Sequence, residues 1–157
     1  MGMSNYYKNL REKIGDELIF MPCVAGIIRN EKGNILFGRK HNEQNWGLIA
    51  GAIEIGETPA QAMIREALEE TGLDIEPIRI IGVYGGKEQR LTYKNGHQVE
   101  YVTIVFECTI KDGQLDPDNE EMKELKFFSE DQIPPIANTF PDYIFSSKQE
   151  ERAHFVR

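Results

Sequence analysis

Three glutamates crowd into one stretch of the chain, between residues 51 and 73, that contains five glutamates in all. Glu66, Glu69 and Glu70 have only Arg65 beside them as a counter-charge. Carboxylate oxygens are the ligands that hard divalent cations such as Mg²⁺ and Mn²⁺ prefer. A solvated acidic helix face would use the same residue types, so the spacing alone leaves a metal site and an acidic surface as alternatives.

The same stretch carries the signals of a capped helix that would hold these side chains. Thr58 suits the N-cap, Pro59 suits the first helical position, and Gln61 completes a capping box. Gly72 is placed to adopt the left-handed conformation that ends many helices. The sequence therefore predicts a helix over residues 59–71.

Helical periodicity predicts an apolar face and an acidic face on this helix. At ~100° per residue, the three glutamates fall on one side, pointing away from a sheet that the opposite side would contact. That opposite side consists of Ala60, Ile64, Ala67, Leu68 and Thr71. Arg65 can pair with Glu69 at i,i+4, whereas Glu66 and Glu70 repel each other at the same spacing. Since anions near a helix C-terminus are also unfavourable, the cluster is destabilising unless a cation binds.

The whole stretch resembles the Nudix box, Gly-x5-Glu-x7-Arg-Glu-U-x-Glu-Glu-x-Gly-U, where U is a bulky aliphatic residue. The positions in register are Gly51, Glu57, Arg65, Glu66, Glu69, Glu70, Gly72 and Leu73. Ala67 is small where a bulky residue is usual, and Ala50-Gly51-Ala52 stands where many members have Pro-Gly-Gly. With its flanking strands, from about residue 18 to 135, the chain is similar to MutT-like Nudix hydrolases.

Nudix proteins are mostly hydrolases of nucleoside diphosphates linked to another moiety, with an α/β/α sandwich around a mixed β-sheet. The resemblance implies a divalent cation, Mg²⁺ or alternatively Mn²⁺, that binds the carbonyl of Gly51 and the carboxylates of Glu57, Glu66, Glu69 and Glu70. It also implies that Arg65 orients the glutamates, and that Arg65, Glu69 and Glu70 take part in catalysis. Such a cation would neutralise a diphosphate and lower the pKa of an attacking water.

In this family the catalytic base often comes from outside the box. Glu121 is the first candidate and Glu120 the second, because both lie in the loop before a predicted strand. The alternative is that this loop is simply acidic and exposed to solvent.

Residues that contact the substrate also lie outside the box. Arg39, Arg90 and Asn138 are the candidates: Arg39 is on the strand before the box, and Asn138 lies where MutT-like enzymes place an asparagine that reads the base. The other basic and aromatic candidates are Lys40, Trp46, Lys87, Tyr93 and His97, of which Trp46 also suits a core position. A proline that many ADP-ribose hydrolases carry beyond the box is missing here, so the substrate stays open.

Composition limits the class of protein. A chain of 157 residues fits one domain, and a net charge of −8 argues against a protein that coats nucleic acid. No apolar run approaches the ~20 residues of a membrane span, and the N-terminus lacks a secretory signal, so we expect a cytoplasmic protein away from membranes. Cys23 and Cys108 lie in separate apolar runs and are expected to be buried thiols rather than a disulfide or zinc ligands.

The remaining patterns predict a helix at the N-terminus and several strands around the central helix. The helix covers residues 4–14, and the strands cover 18–29, 35–39, 46–50, 78–84, 99–110 and 124–128. The expected fold class is α/β. We divide the chain into an N-terminal helical extension (1–17), a Nudix domain (18–145) and a C-terminal tail (146–157), and a homodimer is one option for its assembly.

Together, these features predict Mg²⁺-dependent hydrolysis of a diphosphate linkage in a small nucleotide, such as a nucleoside triphosphate or a nucleotide sugar, by water that the metal activates. A Nudix domain that binds a nucleotide without cleaving it, as a sensor or regulator, is the alternative, and the complete acidic set argues against it. A Nudix-fold isomerase of isoprenoid diphosphates would need a reactive cysteine, which neither Cys23 nor Cys108 resembles.

Overall fold

A mixed β-sheet with one α-helix on each face forms the framework of the computed structural model, which describes residues 4–117, 119–137, 139–148 and 152–155. Its elements are, in order, α1 (Asn5–Ile14), β1 (Ile19–Arg29), β2 (Ile35–Lys40), β3 (Ile49–Ala52), α2 (Pro59–Thr71), β4 (Leu73–Tyr84), β5 (Arg90–Thr92), β6 (Gln98–Gly113), β7 (Met122–Phe128) and β8 (His154–Phe155). Short 3-10 helices cover Lys87–Gln89, Glu130–Gln132 and Asp142–Phe145.

The central strands of the sheet are β1 and β6, which run parallel to each other from the pair Ile19 and Val99 to the pair Arg29 and Thr109. The strand order is β7-β2-β1-β6-β4-β8, while β3 pairs with β1 and β5 pairs with β6. From Cys23 onward β1 is buried almost continuously, as expected for a strand that is covered on both faces.

Alternate residues of β1 face two different cores. Val24 and Ile28 pack in a cluster with Met63 of α2, whereas Cys23 packs in a cluster with Tyr7 of α1. Because successive residues of a strand point to opposite faces, the two helices lie on opposite sides of the sheet. The predicted α/β class, with a mixed sheet between helical layers, is confirmed.

Helix α2 begins and ends where its caps predict. The Thr58 hydroxyl accepts a hydrogen bond from the backbone N–H of Gln61 at 3.3 Å, and the Gln61 side chain accepts one from the N–H of Thr58 at 2.9 Å. Gly72 follows the helix in the left-handed conformation, with φ of 75°. Local capping is therefore sufficient to determine both ends of this helix.

The predicted apolar face of α2 is only partly right: Ala67 and Thr71 are buried as predicted, but the helix is rotated from the predicted orientation. Leu68 is 55% exposed and Ile64 is also exposed, whereas Met63 is fully buried and Glu70 is only 1% exposed. The approach of the helix to β1 explains the difference: a Cβ on Gly26 would lie 2.9 Å from the Met63 methyl, so the missing side chain makes room for Met63 at the interface. The helix consequently turns Glu70 towards the sheet.

Several strands differ in extent from the predictions, and the short β5 and β8 were not predicted. β4 starts at Leu73, directly after the helix, because its pairing with β6 overrides the poor strand propensities of Asp74, Glu76 and Pro77. β3 is shifted towards the box, and the short β5 pairs with the start of β6. These additions follow from long-range pairing rather than from local sequence.

Both cysteines are buried and free, as predicted. In the described part of the chain, none of the helices combines the length and the apolar character that crossing a membrane requires. The domain boundaries at 17/18 and 145/146 stay predictions, although α1 packs on the sheet through the buried Tyr7.

Candidate functional site

Arg65 is the centre of an ion-pair cluster where the loop after β3 meets α2. Its guanidinium binds both carboxylate oxygens of Glu57, at 2.6 and 2.9 Å, and one oxygen of Glu66 at 2.7 Å. The predicted i,i+4 partner, Glu69, lies at 3.4 Å, and the carbonyl of Ala52 accepts a further bond at 3.0 Å. One side chain therefore orients three of the four box carboxylates and ties them to β3.

The charges in this cluster stabilise each other. The hydrogen bonds from Arg65, together with one from the backbone N–H of Glu54, hold the pKa of the Glu57 carboxyl below its ordinary value. Hydrogen bonding to Glu57, and then to Glu66, in turn raises the pKa of the Arg65 guanidinium. Both partners are thus ionised over the physiological range.

Gly51 provides space for a carboxylate. A Cβ at this position would overlap the side-chain carboxylate of Glu66. The φ angle of Gly51 is not positive, so the requirement for glycine here comes from the space and not from the backbone conformation. The β3 backbone and the α2 carboxylates can approach each other only because this side chain is absent.

Glu70 is the buried member of the set. Its Oε2 accepts a hydrogen bond from the backbone N–H of Ala50 at 3.2 Å, while its Oε1 lies 2.8 Å from the Lys40 ammonium but outside hydrogen-bond geometry. Burial raises the pKa of the Glu70 carboxyl, and Lys40 opposes that shift. Burial lowers the pKa of the Lys40 ammonium, but the combined attraction of Glu70, Glu66 and Glu43 outweighs it and the net pKa is raised.

The donor set fits a hard divalent cation in its chemistry. The donors are all oxygens, one of them is the buried Glu70 oxygen that pairs with the Lys40 ammonium, and Gly51 leaves a cradle for Glu66. Within the described residues, however, no three His, Cys, Asp or Glu side chains converge as a ligand group. Arg65 and Lys40 hold the carboxylates as ion pairs, so cation binding would require these carboxylates to exchange partners.

The loop before β7 is fastened to the end of α2 by Asn119, a residue that our sequence reasoning missed. Its amide group donates to the carbonyls of Glu70 and Asp116, both at 3.0 Å, and its Oδ1 accepts from the N–H groups of Glu121 and Met122. An Asn ahead of polar loop residues is the available sequence signal, since Asn side chains commonly bond backbone groups two residues on.

Of the two candidate bases, Glu121 is the one near the cluster. One of its carboxylate oxygens lies 4.0 Å from the Lys40 ammonium, and its side chain is largely buried, whereas Glu120 is exposed. Lys40 therefore lies between Glu70 of α2 and Glu121 of the loop. The role of Glu121 as a base stays a prediction.

A cleft of about 460 Å³ opens beside the cluster. Lys40, Ala50 and Gly51 line the part next to the carboxylates, and Tyr93 and His97 of the hairpin between β5 and β6 also line it. Three members of the wider set of substrate candidates, Lys40, Tyr93 and His97, are thus brought to one cavity.

The two arginines named as substrate contacts lie elsewhere. Arg39 pairs with Glu124 and its guanidinium lies 5.4 Å from the ring centroid of Trp46. Alternation along β2 places Arg39 on the face opposite to Lys40, which explains why the neighbouring lysine reaches the cleft instead. Arg90 pairs with Glu100 at the surface. Neither arginine lines the cleft in the described part of the chain.

Trp46 packs in the core, and the two cysteines are unreactive thiols. Trp46 packs edge-on against Phe128, with ring centroids 5.0 Å apart, which supports its alternative role in the core. Asn138 lies outside the described residues. Burial raises the pKa of both Cys23 and Cys108 to about 12, so neither thiol is the reactive cysteine that an isomerase of this fold would need.

The sequence matches a protein-family model and several curated proteins. The NUDIX domain model matches residues 20–148. The YjhB protein of Bacillus subtilis (strain 168), named provisionally as an ADP-ribose pyrophosphatase, is 33% identical over 117 residues, which cover 73% of this chain and 52% of that protein. The NAD-capped RNA hydrolase NudC of Vibrio vulnificus is 30% identical over 119 residues, or 75% of this chain and 42% of that protein. The chain thus spans about half the length, or less, of these relatives.

Solved structures show the same fold. A UDP-X diphosphatase superposes with a TM-score of 0.65 and 26% identity, over 88% of this chain and 64% of that one. The MutT protein from Methanosarcina mazei Go1 has a TM-score of 0.58 and 29% identity, over 73% of this chain and 80% of that one. Because the family model covers most of the chain, including the whole ion-pair cluster around Arg65, this protein belongs to the Nudix family.

Proposed function

We propose that this chain hydrolyses a diphosphate linkage in a small nucleoside diphosphate derivative and uses a divalent cation, Mg²⁺ or Mn²⁺, as cofactor. The observation that carries the proposal is the oxygen donor set around Gly51 and Glu70 at the side of a cleft of about 460 Å³, a size typical of sites for small ligands. The names of the relatives, which refer to ADP-ribose, NAD-capped RNA and UDP-linked compounds, support this chemical class.

The residues that would hold the cation are the box carboxylates, Glu57, Glu66, Glu69 and Glu70, and the carbonyl of Gly51. A divalent cation bound there supplies neutralisation of the diphosphate charge and a lower pKa for a nearby water molecule. Arg65 orients Glu57 and Glu66 through its short hydrogen bonds to both. Its contact with the Ala52 carbonyl keeps this arrangement fixed relative to β3.

Lys40 and Glu121 would act on the substrate and on the water. Lys40 is half-exposed and lines the cleft, so its ammonium can leave Glu70 and bind a phosphate oxygen. We assign Glu121 as the base that accepts a proton from the attacking water. The water oxygen then forms a bond to one phosphorus, the bond from that phosphorus to the bridging oxygen breaks, and two phosphate-containing products leave.

The test is a panel of ADP-ribose, UDP-glucose, NAD and a nucleoside triphosphate, assayed chromatographically with Mg²⁺, with Mn²⁺ and with a chelator. We expect cation-dependent cleavage of at least one of these compounds. Glu70→Gln should lower kcat/KM on the order of 10–100-fold. Glu31→Gln, in the exposed turn between β1 and β2, makes the same chemical change away from the cleft and should leave kcat/KM unchanged.

Circular dichroism of Glu70→Gln would confirm that the fold survives. Unchanged turnover of this variant at saturating Mg²⁺ would refute the assignment of the site. Nucleotide binding without product under either metal ion would instead favour the alternative of a domain that binds nucleotides without cleaving them.

A further inference from the structure

One end of the cleft is walled by aromatic and apolar side chains, which we call the aromatic wall: Tyr7, Leu91, Tyr93 and Tyr101. Leu91 is 46% exposed and Tyr93 is 43% exposed. The hydroxyl of Tyr93 is hydrogen-bonded to that of Tyr101, which links the exposed tyrosine to a less exposed one. Large apolar side chains that stay exposed along a cleft are typical of surfaces that bind a ligand.

Strand register places this wall at a distance from the carboxylates. Leu91 pairs with Val99, and Val99 pairs with Ile19 of β1, whereas Gly51 pairs with Val24 of the same strand. The five residue steps from Ile19 to Val24 span about 16 Å along the strand. This separation is comparable with the reach of an extended nucleoside diphosphate, so one ligand can contact both ends.

The charges at the wall favour a neutral group. Arg11 lines the cleft here, but its guanidinium donates to the backbone carbonyls of Gly15, Glu17 and Gln98. His97, the other basic residue at this end in the described chain, faces Asp16 at 3.6 Å. The aromatic wall therefore consists of aromatic rings, and the basic groups beside it are already paired with other groups. This environment suits a planar uncharged ring better than a second phosphate-rich group.

We propose that the aromatic wall binds the nucleobase of the substrate, stacked on Tyr93, while the diphosphate lies at the carboxylates. This inference rests on the proposed function. It makes the hairpin between β5 and β6, together with α1, the part of the chain that selects base-bearing diphosphates over diphosphates without a base. Stacking on an aromatic ring tolerates any base, so purine and pyrimidine nucleotides should both bind.

The test compares the binding of AMP, UMP and ribose 5-phosphate by isothermal titration calorimetry with Mg²⁺ present. None of the three has a diphosphate linkage to cleave, and ribose 5-phosphate differs from the nucleotides in lacking the base. Wild-type protein should bind AMP and UMP each roughly 5- to 150-fold more tightly than ribose 5-phosphate, the range expected for one base stacked on an aromatic side chain.

The variants separate stacking from general structural effects. Tyr93→Ala should lower nucleotide affinity to that of ribose 5-phosphate, and Tyr93→Phe, which keeps the ring, should retain most of the affinity. Phe20→Ala removes an exposed aromatic residue of β1 that does not line the cleft, and it should leave all three affinities unchanged.

Equal affinities of wild-type protein for AMP, UMP and ribose 5-phosphate, including no detectable binding of any of them at millimolar concentrations, would overturn the proposal. So would an unchanged nucleotide affinity in Tyr93→Ala. These outcomes are independent of turnover. Binding of AMP through Tyr93 without cleavage of any compound would refute the proposed function but support the role of the aromatic wall. Cleavage with a kcat/KM that Tyr93→Ala does not change would refute only the role of the aromatic wall.

Discussion

Asn119→Ala tests whether the loop before β7 is held in place by a single side chain. The asparagine side chain donates hydrogen bonds to the carbonyls of Glu70 and Asp116. It accepts two more, at 3.0 and 2.9 Å, from the N–H groups of Glu121 and Met122. Alanine removes all of them and leaves the backbone partners to water. The variant therefore separates Glu121 from the end of α2 without changing any charge.

The expected loss of stability follows from these contacts. A hydrogen bond contributes about 0.5–1.5 kcal/mol net, and because the site is only partly buried we expect the free energy of unfolding to fall by about 2–4 kcal/mol in total. For a chain of this size, Tm changes by about 2–4 °C per kcal/mol, so Tm should fall by roughly 5–15 °C. Asn95→Ala, in an exposed turn where the side chain is hydrogen-bonded to His97, should change Tm much less.

The assay measures thermal unfolding by calorimetry. It is combined with a measurement of kcat/KM on whichever compound of the panel is cleaved. At temperatures where Asn119→Ala is fully folded, kcat/KM should still be lower than in wild type, because Glu121 is no longer positioned. A Tm change below about 2 °C would refute the reasoning that these bonds fasten the loop. Normal kcat/KM in a clearly destabilised variant would show that the loop position does not matter for activity.

Three further predictions concern the same region and the core. Gly51→Ala, whose Cβ would overlap a box carboxylate, should weaken Mg²⁺ binding on the order of 10–100-fold in a metal titration; unchanged affinity would contradict the cradle. Lys40→Met leaves the buried Glu70 without its cation and should lower the unfolding free energy of the metal-free protein by about 1–3 kcal/mol in denaturant titration; equal stability would mean that the ion pair contributes nothing. The pKa of Cys108 is raised to about 12 by burial, so this thiol should react with disulfide reagents at pH 8 only after unfolding. Above the pKa that the Cys108 thiol has in the unfolded chain, the unfolded chain binds fewer protons than the folded one. The free energy of unfolding should therefore fall from about pH 9 to 12, and a rise in this free energy would contradict the burial of Cys108.

Several features of this protein could be predicted from the sequence because they depend on residues close together in the chain. The capping box of Thr58 and Gln61 and the left-handed Gly72 determine the ends of α2 within a few residues. The same stretch carries the Nudix box, whose spacing predicts the pairing of Arg65 with Glu69. Apolar runs also predict that both cysteines are buried.

Tertiary structure alone decided which side chains meet. The rotation of α2, which buries Glu70 and exposes Leu68, depends on the close approach of Met63 to Gly26 of β1. Helical periodicity alone could not predict this rotation, because apolar residues occur on both the buried and the exposed side of α2. Alternation along β2 brings Lys40 rather than Arg39 to the cleft.

The cleft itself combines parts that are far apart in the chain. α1 supplies Tyr7 and the hairpin between β5 and β6 supplies Tyr93. Outside the cleft, Asn119 joins the loop before β7 to the end of α2 in the same long-range way. Such contacts arise from strand register and helix packing, which set the distances between segments and leave no short-range pattern. The sequence by itself therefore determined the family and its acidic cluster, and the fold decided how that cluster is paired and what lies opposite it.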